Sequence, residues 1–446
     1  MNDPIVSRRS LLKGGGAAVA GWSVLHVSGP VDALSGDGVD VPWTDERSDR
    51  SDHSNECADL TDGDVIAWSD QPIDVPPPAQ GVVGNLLKWE SLSTRLTPAD
   101  NFFTVKHYNE PTLDPATWQL SVEGLVGRPK TFSLADLMAR PRRQLEFTLE
   151  CSGNTGLPFF IGGIGNAIWG GAQLAPVLKS ARPDDGGTEV VFWGADSGTV
   201  TIRDDSGVTS AGMTGVGQPD AGGGIDLTIT EHFARSMSLQ DALAPGNLLT
   251  YEMNGGPLPN EHGAPVRLIA PGWYGVANVK WLTRIEVIDR RYTGRFMARD
   301  YVTFREQTNA AGETIWSFTN VGRARLKSAP AKVTRVGDQH SIVGVAWGAP
   351  IARVEVSIDG GPWARASRCA QNGNGDQNGR GGPAKGLVWQ FWSYDWGTPA
   401  PGTHTVASRA IAVDGEVQPA PDDPFLASRR TYWENNGQIT RTVMIT

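Results

Sequence analysis

From about residue 85 to residue 289 the apolar positions come in short alternating or β-branched runs. Trp118-Gln119-Leu120-Ser121-Val122, residues 144–148 and residues 189–193 have the period of two that marks strands. Two stretches are spaced as short helices instead. In residues 132–138 Ser133 stands where an N-cap belongs, and in residues 173–181 Leu174, Val177 and Leu178 fall on one helical face. This mixture predicts an α+β domain over 85–289. After a connecting segment at 290–329 the pattern changes to strands and tight turns alone. Residues 341–347, 353–358 and 403–413 alternate with period two, and Asp359-Gly360-Gly361 sits where a hairpin turn belongs. About seven short strands over 330–446 predict an all-β, immunoglobulin-like sandwich domain.

A chain of 446 residues is long enough for two such cores, and its 54 glycines and 30 prolines favour turn-rich sheet over helical bundles. The formal charge of −10 excludes nucleic acid as a partner, because phosphate binding needs a basic footprint. That excess sits in one place. Residues 35–75 hold twelve acidic side chains against Arg47 and Arg50, while the rest of the chain balances 37 basic against 37 acidic residues. The segment 34–84, which ends in a Pro-rich hinge at Val75-Pro76-Pro77-Pro78, therefore reads as a solvated linker. A docking surface for a basic redox partner is the alternative.

Ser7-Arg8-Arg9-Ser10-Leu11-Leu12-Lys13, followed by an apolar small-residue run from Gly14 to Val24, has the order of a twin-arginine export signal. Residues 1–33 are expected to be that signal, with a cleavage site at Val31-Asp32-Ala33. The expected location is periplasmic or otherwise extracytoplasmic. The run is too short to span a bilayer, so no membrane span is expected after processing. The twin-arginine route carries folded proteins, which suits one that loads a complex cofactor before it leaves.

Cys57, Cys151 and Cys369 have neither metal-finger nor haem-attachment spacing, so no c-type haem is expected within the chain. Cys57 and Cys369 are either a disulfide or two inert thiols. Leu149-Glu150-Cys151-Ser152-Gly153-Asn154 places a lone cysteine just after a strand, at a tight turn; by itself it reads as a buried hydrophobe, a nucleophile or a ligand. A second cluster is richer. Tyr251-Glu252-Met253-Asn254-Gly255-Gly256-Pro257-Leu258-Pro259, then His262 to Arg267, Pro271-Gly272-Trp273-Tyr274-Gly275 and Asn278-Val279-Lys280-Trp281-Leu282 combine turn-forming residues with donors and cations. Such a set grips an anionic, heteroatom-rich ligand such as a phosphorylated pterin, or ties two domains together.

These segments closely resemble the molybdenum-cofactor domain of the sulfite oxidase family, over roughly residues 85–446. The family also includes the sulfane dehydrogenase subunit of bacterial thiosulfate oxidation and the molybdenum domain of eukaryotic nitrate reductases. Phe102-Phe103-Thr104-Val105-Lys106-His107 is similar to its aromatic-led cofactor strand, and Leu149 to Asn154 to its metal-ligand segment. The resemblance implies a molybdenum–molybdopterin cofactor with Cys151 as metal ligand. It also implies cofactor contacts at Phe103, Thr104, Val105, Lys106, His107, Asp196, His262, Arg267, Asn278, Val279 and Lys280. The implied reaction is oxidation of sulfite to sulfate by oxo transfer, with electrons passed to a separate carrier such as cytochrome c. The trailing sandwich resembles the family's dimerisation domain, which implies a homodimer.

Two departures and one further similarity accompany this resemblance. Val105 stands where the family carries an oxyanion-binding arginine, with Lys106 beside it. The position of the family's active-site tyrosine falls near Leu227, in a stretch altered by the Gly222-Gly223-Gly224 insertion, where that tyrosine is missing. Arg353 lies in a segment similar to one near the family's active site. The first two weaken the case for sulfite in particular and keep sulfane sulfur or an organic oxide as alternative substrates. A cofactor-free scaffold or redox partner is the alternative of a different class.

Overall fold

The computed structural model describes residues 63–77, 81–203, 208–209, 212–213, 226–369 and 386–446. The twin-arginine segment, Cys57 and most of the acidic stretch, the Gly222-Gly223-Gly224 insertion and the Asn- and Gly-rich residues 372–382 lie outside the described residues.

Strand Arg142–Glu150 is exposed at its start and buried from Phe147 onward, so it delivers Cys151 into the interior at its far end. It pairs antiparallel with Ile164–Gln173 along its whole length, and that strand pairs in turn with Leu248–Met253. Gly256–Pro257 and Arg267–Ile269 complete this five-stranded sheet. A second five-stranded sheet runs Asp226–Ser238, Glu189–Arg203, Leu282–Ile288, Gln119–Gly124, Lys130–Ser133, and its one parallel pair is Leu282–Ile288 with Gln119–Gly124. Leu120, Val190, Phe192 and Ile285 of this sheet share a core with Leu249 and Leu268 of the first. Both expected helices form. Leu134–Met138 is capped by Ser133, whose hydroxyl accepts from the Asp136 amide while the Asp136 carboxylate accepts from the Ser133 amide. Leu174–Ser180 buries Leu174, Val177 and Leu178 in the shared core.

The C-terminal part consists of two antiparallel sheets. One runs Asp64–Ile66, Lys327–Val336, Gln339–Trp347, Gln390–Gly397, Ser367–Arg368; the other runs Ala364–Arg365, Ile351–Ile358, Gly402–Ala412, Ile439–Ile445. Val333, Ile342, Val354, Val356 and Val406 fill the space between them. The turn at Asp359 and Gly360 has φ of 52° and 68°, the left-handed pair of a tight hairpin.

Three features depart from the sequence pattern. Strands Lys327–Val336 and Gln339–Trp347 are buried almost throughout rather than on alternate residues. The reason is a second covered face: Ala329, Ala331, Val343 and Val345 pack against Trp89, Leu92 and Ile164 of the preceding domain. Part of the stretch read as linker is also folded. Asp64–Ile66 adds an edge strand opposite Val333 to Arg335, and Trp68 is buried in the sandwich with its indole donating to the Ala331 carbonyl at 2.8 Å. Within the segment read as connecting, Val302–Thr308 and Thr314–Asn320 form a two-stranded hairpin.

Candidate active site

Cys151 is a free, buried thiol at the end of its strand. Its amide donates to the Gly163 carbonyl at 2.8 Å and its carbonyl accepts from the Asn154 amide at 2.9 Å, which closes the expected tight turn. Burial pushes the thiol up to about 12, with Glu150 adding to the shift and the Gly153 amide and Lys327 opposing it. Loading a metal on this sulfur therefore releases a proton. Cys369 is disulfide-bonded, which removes it from the reading as an inert thiol.

Ten of the twelve residues expected to serve the site line one cleft: Phe103, Thr104, Val105, His107, Cys151, Asp196, His262, Arg267, Asn278 and Lys280. Lys106 and Val279 do not line it. Lys106, the residue after the short strand Thr104–Val105, instead forms an ion pair with Glu110. Val279 is buried in the hydrophobic core, and only its carbonyl is engaged, accepting from Leu268. Arg353 is also elsewhere: its guanidinium pairs with Glu355 on the same sandwich strand.

The polar wall is prepositioned by its own backbone. Arg267 is buried, and its two terminal nitrogens donate to the carbonyls of His262 and Asn278 at 3.0 Å each, while its Nε has no partner. The His262 ring donates to the Ala99 carbonyl at 3.0 Å, and burial lowers its pKa to about 4, so it is neutral. Asn278 accepts from the Ala270 amide at 2.7 Å and donates to the Tyr274 carbonyl at 3.0 Å. Lys280 donates to the Glu261 carbonyl at 2.9 Å; burial, aided by Arg267, brings it down to about 7. Asp196 is raised by burial to about 7 against the pull of Lys280, and its Oδ1 has no partner. Gly263 makes this packing possible, since at φ +104° any Cβ there would stand 2.7 Å from the Lys280 Cβ.

The neutral wall contains residues that the sequence did not disclose. Tyr301 and Phe233 line the cleft, with Tyr301 hydrogen-bonded to His107 Nε2 at 2.7 Å and Phe233 stacked on the His107 ring at 4.5 Å. Burial takes the Tyr301 phenol well above its usual value and lowers His107 to about 3, so both are uncharged. Among the described residues the tyrosine that lines this cleft is Tyr301, whereas Leu227 pairs with Ile202 six residues up the strand from Phe233. No local motif marks Tyr301. Its only sequence signal is its place just before the hairpin.

Comparison with known proteins fits this geometry. Residues 107–296 match the family model described as an oxidoreductase molybdopterin binding domain. Sulfite oxidase of Gallus gallus is 30% identical over 377 residues, which cover 79% of this chain and 72% of that one. Human mitochondrial sulfite oxidase is 31% identical over 378 residues, with the same share of this chain and 61% of its own length. The crystal structure of the sulfane dehydrogenase SoxCD from Paracoccus pantotrophus shares the fold, with a TM-score of 0.64 at 23% identity over 86% of this chain and 90% of that one. The protein is thus a molybdopterin-dependent oxidoreductase. More narrowly, the chain belongs to the sulfite oxidase family.

That family's cofactor is molybdenum–molybdopterin, and the residues present fit it. A soft thiol suits the metal. The unpartnered Asp196 Oδ1 and Arg267 Nε are buried polar atoms in the cleft wall, which a pterin's donors and acceptors would satisfy.

Proposed function

We propose that this enzyme oxidises sulfite to sulfate, with Cys151 as the protein ligand to molybdenum and a separate one-electron carrier such as cytochrome c as acceptor. The observation that carries this reading is the convergence of Cys151, Asp196, His262, Arg267 and Lys280 on one cleft. In it, Asp196, His262, Arg267, Asn278 and Lys280 hold the pterin, Phe103 to Val105 form the adjoining wall, and Cys151 holds the metal. When bound, the molybdenum group supplies two-electron chemistry coupled to oxygen-atom transfer.

The chain's own residues then determine what is bound beside it. Arg267 has both terminal nitrogens committed to carbonyls, and Lys106 and Arg353 are paired outside the cleft. Among the described residues Val105, His107, Phe233 and Tyr301 line the same cleft as Cys151, and beside the Tyr301–His107 pair the cation there is Lys280, held by the Glu261 carbonyl and brought by burial to about 7, rather than a free guanidinium. Sulfite is therefore bound weakly. The same uncharged wall favours, as a second reading, a less charged sulfur compound such as sulfane sulfur or an organic oxide. Sulfite-dependent reduction of cytochrome c or ferricyanide, with molybdenum content measured in parallel, tests the assignment. A molybdenum-loaded enzyme that reduces neither acceptor with sulfite gives the second reading its place.

The twin-arginine order at Ser7 to Lys13 supports export to the periplasm or beyond. Among the described residues no helix is long and apolar enough to cross a membrane. The two-sheet C-terminal part supports the reading of an immunoglobulin-like dimerisation domain, and sedimentation equilibrium of the purified protein tests the homodimer.

A further inference from the structure

The strand that delivers Cys151 carries a buried carboxylate immediately before it. Glu150 accepts from three donors: Lys327 Nζ at 2.6 Å and Asn154 Nδ2 at 2.9 Å on one oxygen, and Trp347 Nε1 at 2.9 Å on the other. Lys327 is itself buried and reaches the Thr155 hydroxyl at 3.4 Å. Asn154 in turn accepts from the Gly163 amide at 3.0 Å, and the Gly163 carbonyl accepts from Cys151. The cysteine thus sits inside a closed ring of hydrogen bonds. That ring is anchored at Glu150 by two residues of the C-terminal sheet, where Lys327 begins one strand and Trp347 ends the next, directly opposite each other in register.

Stability does not account for this arrangement. A buried ion pair is commonly no better than a hydrophobic pair of the same shape, because desolvation of both charges offsets their attraction. Nor do Glu150, Lys327 and Trp347 line the cleft. What they do is fix the residues on both sides of Cys151, and partners at one remove from a metal orient its ligand and tune its electronic character. We propose that Lys327 and Trp347 are positioning residues for Cys151, holding through Glu150 and Asn154 the orientation in which its sulfur binds molybdenum. This rests on Cys151 being the metal ligand.

The test uses the cofactor-loaded full chain and three variants: Lys327→Met, Trp347→Phe and Cys151→Ser. Each is assayed for molybdenum per chain, for the visible sulfur-to-metal charge-transfer band, for the molybdenum reduction potential and for kcat and KM. The expected result is wild-type metal content in Lys327→Met and Trp347→Phe with an altered band, a shifted potential and kcat lowered about ten- to hundredfold, the usual cost of losing such a partner. A purely structural role would lower thermal stability and leave the band and potential of the folded enzyme unchanged, and that outcome overturns the proposal. If Lys327→Met does not fold, Trp347→Phe, which removes a donor and no charge, decides in the same way. Loss of the band in Cys151→Ser supports the ligand reading on which the proposal stands. A band that persists there overturns both, whereas a lost band together with wild-type spectra in Trp347→Phe overturns only the positioning role.

Discussion

The Nε2 atom of His107 and the hydroxyl of Tyr301 lie 2.7 Å apart, joining residues 194 positions apart in the sequence on the neutral wall of the cleft. Neither group is charged at neutral pH, since burial keeps the imidazole from protonating and the phenol from ionising. What the pair presents to the cleft is therefore dipoles rather than charge, and its strength lies in the hydrogen bond.

Removing that bond gives the first expectation. Tyr301→Phe keeps the ring stacked on Trp433 at 4.3 Å but deletes the hydroxyl. A bond worth about 1–1.5 kcal/mol corresponds to roughly a tenfold lower kcat/KM at unchanged molybdenum content. Wild-type steady-state kinetics in this variant would exclude the pair from the reaction.

Cys151→Ser should abolish turnover without unfolding the domain, because the substitution is nearly isosteric. Elemental analysis and pterin fluorescence are expected to give one molybdenum and one pterin per chain in the wild type. Normal turnover in the serine variant would remove the central assignment.

Val105→Arg should lower the KM for sulfite. A charge-assisted contact to an oxyanion contributes roughly 1.5–3 kcal/mol, or about ten- to hundredfold in affinity. Saturation of the wild type at low micromolar sulfite would show instead that another cation already binds the anion.

His262 sets an acid limit on the cofactor-free protein. Its folded pKa of about 4 lies below the ordinary 6.5, so the unfolded chain binds the proton first as pH falls. The stability from keeping it neutral is present above pH 6.5 and is lost as pH falls from there through about 4, by roughly 3 kcal/mol over the whole window. His262→Gln, which can still donate to the Ala99 carbonyl, should flatten that part of a urea-denaturation pH profile. An unchanged slope would mean that the imidazole is not the titrating group.

Export is tested separately. Arg8→Lys with Arg9→Lys should strand active, cofactor-loaded protein in the cytoplasm, as followed by fractionation and activity. Undiminished export of the double variant would rule out the twin-arginine route.

What was legible in the sequence was what is encoded locally. Ser133 and Asp136 sit three positions apart and make their capping box wherever that helix goes, and the Gly- and Pro-rich tract around His262, Arg267 and Lys280 fixes its own turns. Lys106 stands between two residues that line the cleft, Val105 and His107, and nothing in that run signals that its ammonium pairs with Glu110. Tyr301 and Phe233 were missed because their proximity is a product of tertiary folding: they arrive from different segments, and neither is flanked by a motif. The strand at Asp64–Ile66 was hidden by its acidic surroundings, where three residues of edge pairing leave almost no periodic signal.

Strands Lys327–Val336 and Gln339–Trp347 are covered on both faces, since the sandwich lies on one side and the cofactor-binding part on the other. Such strands cannot serve as a detachable module. A gene fragment ending before Lys327 would encode a protein with Trp89 and Ile164 bared to water and Glu150 stripped of its cation. Swapping the C-terminal part between relatives would require compensating changes on both sides of the seam. The two halves are bound to diverge together, and recombination within the family should find few viable crossovers between residues 320 and 350.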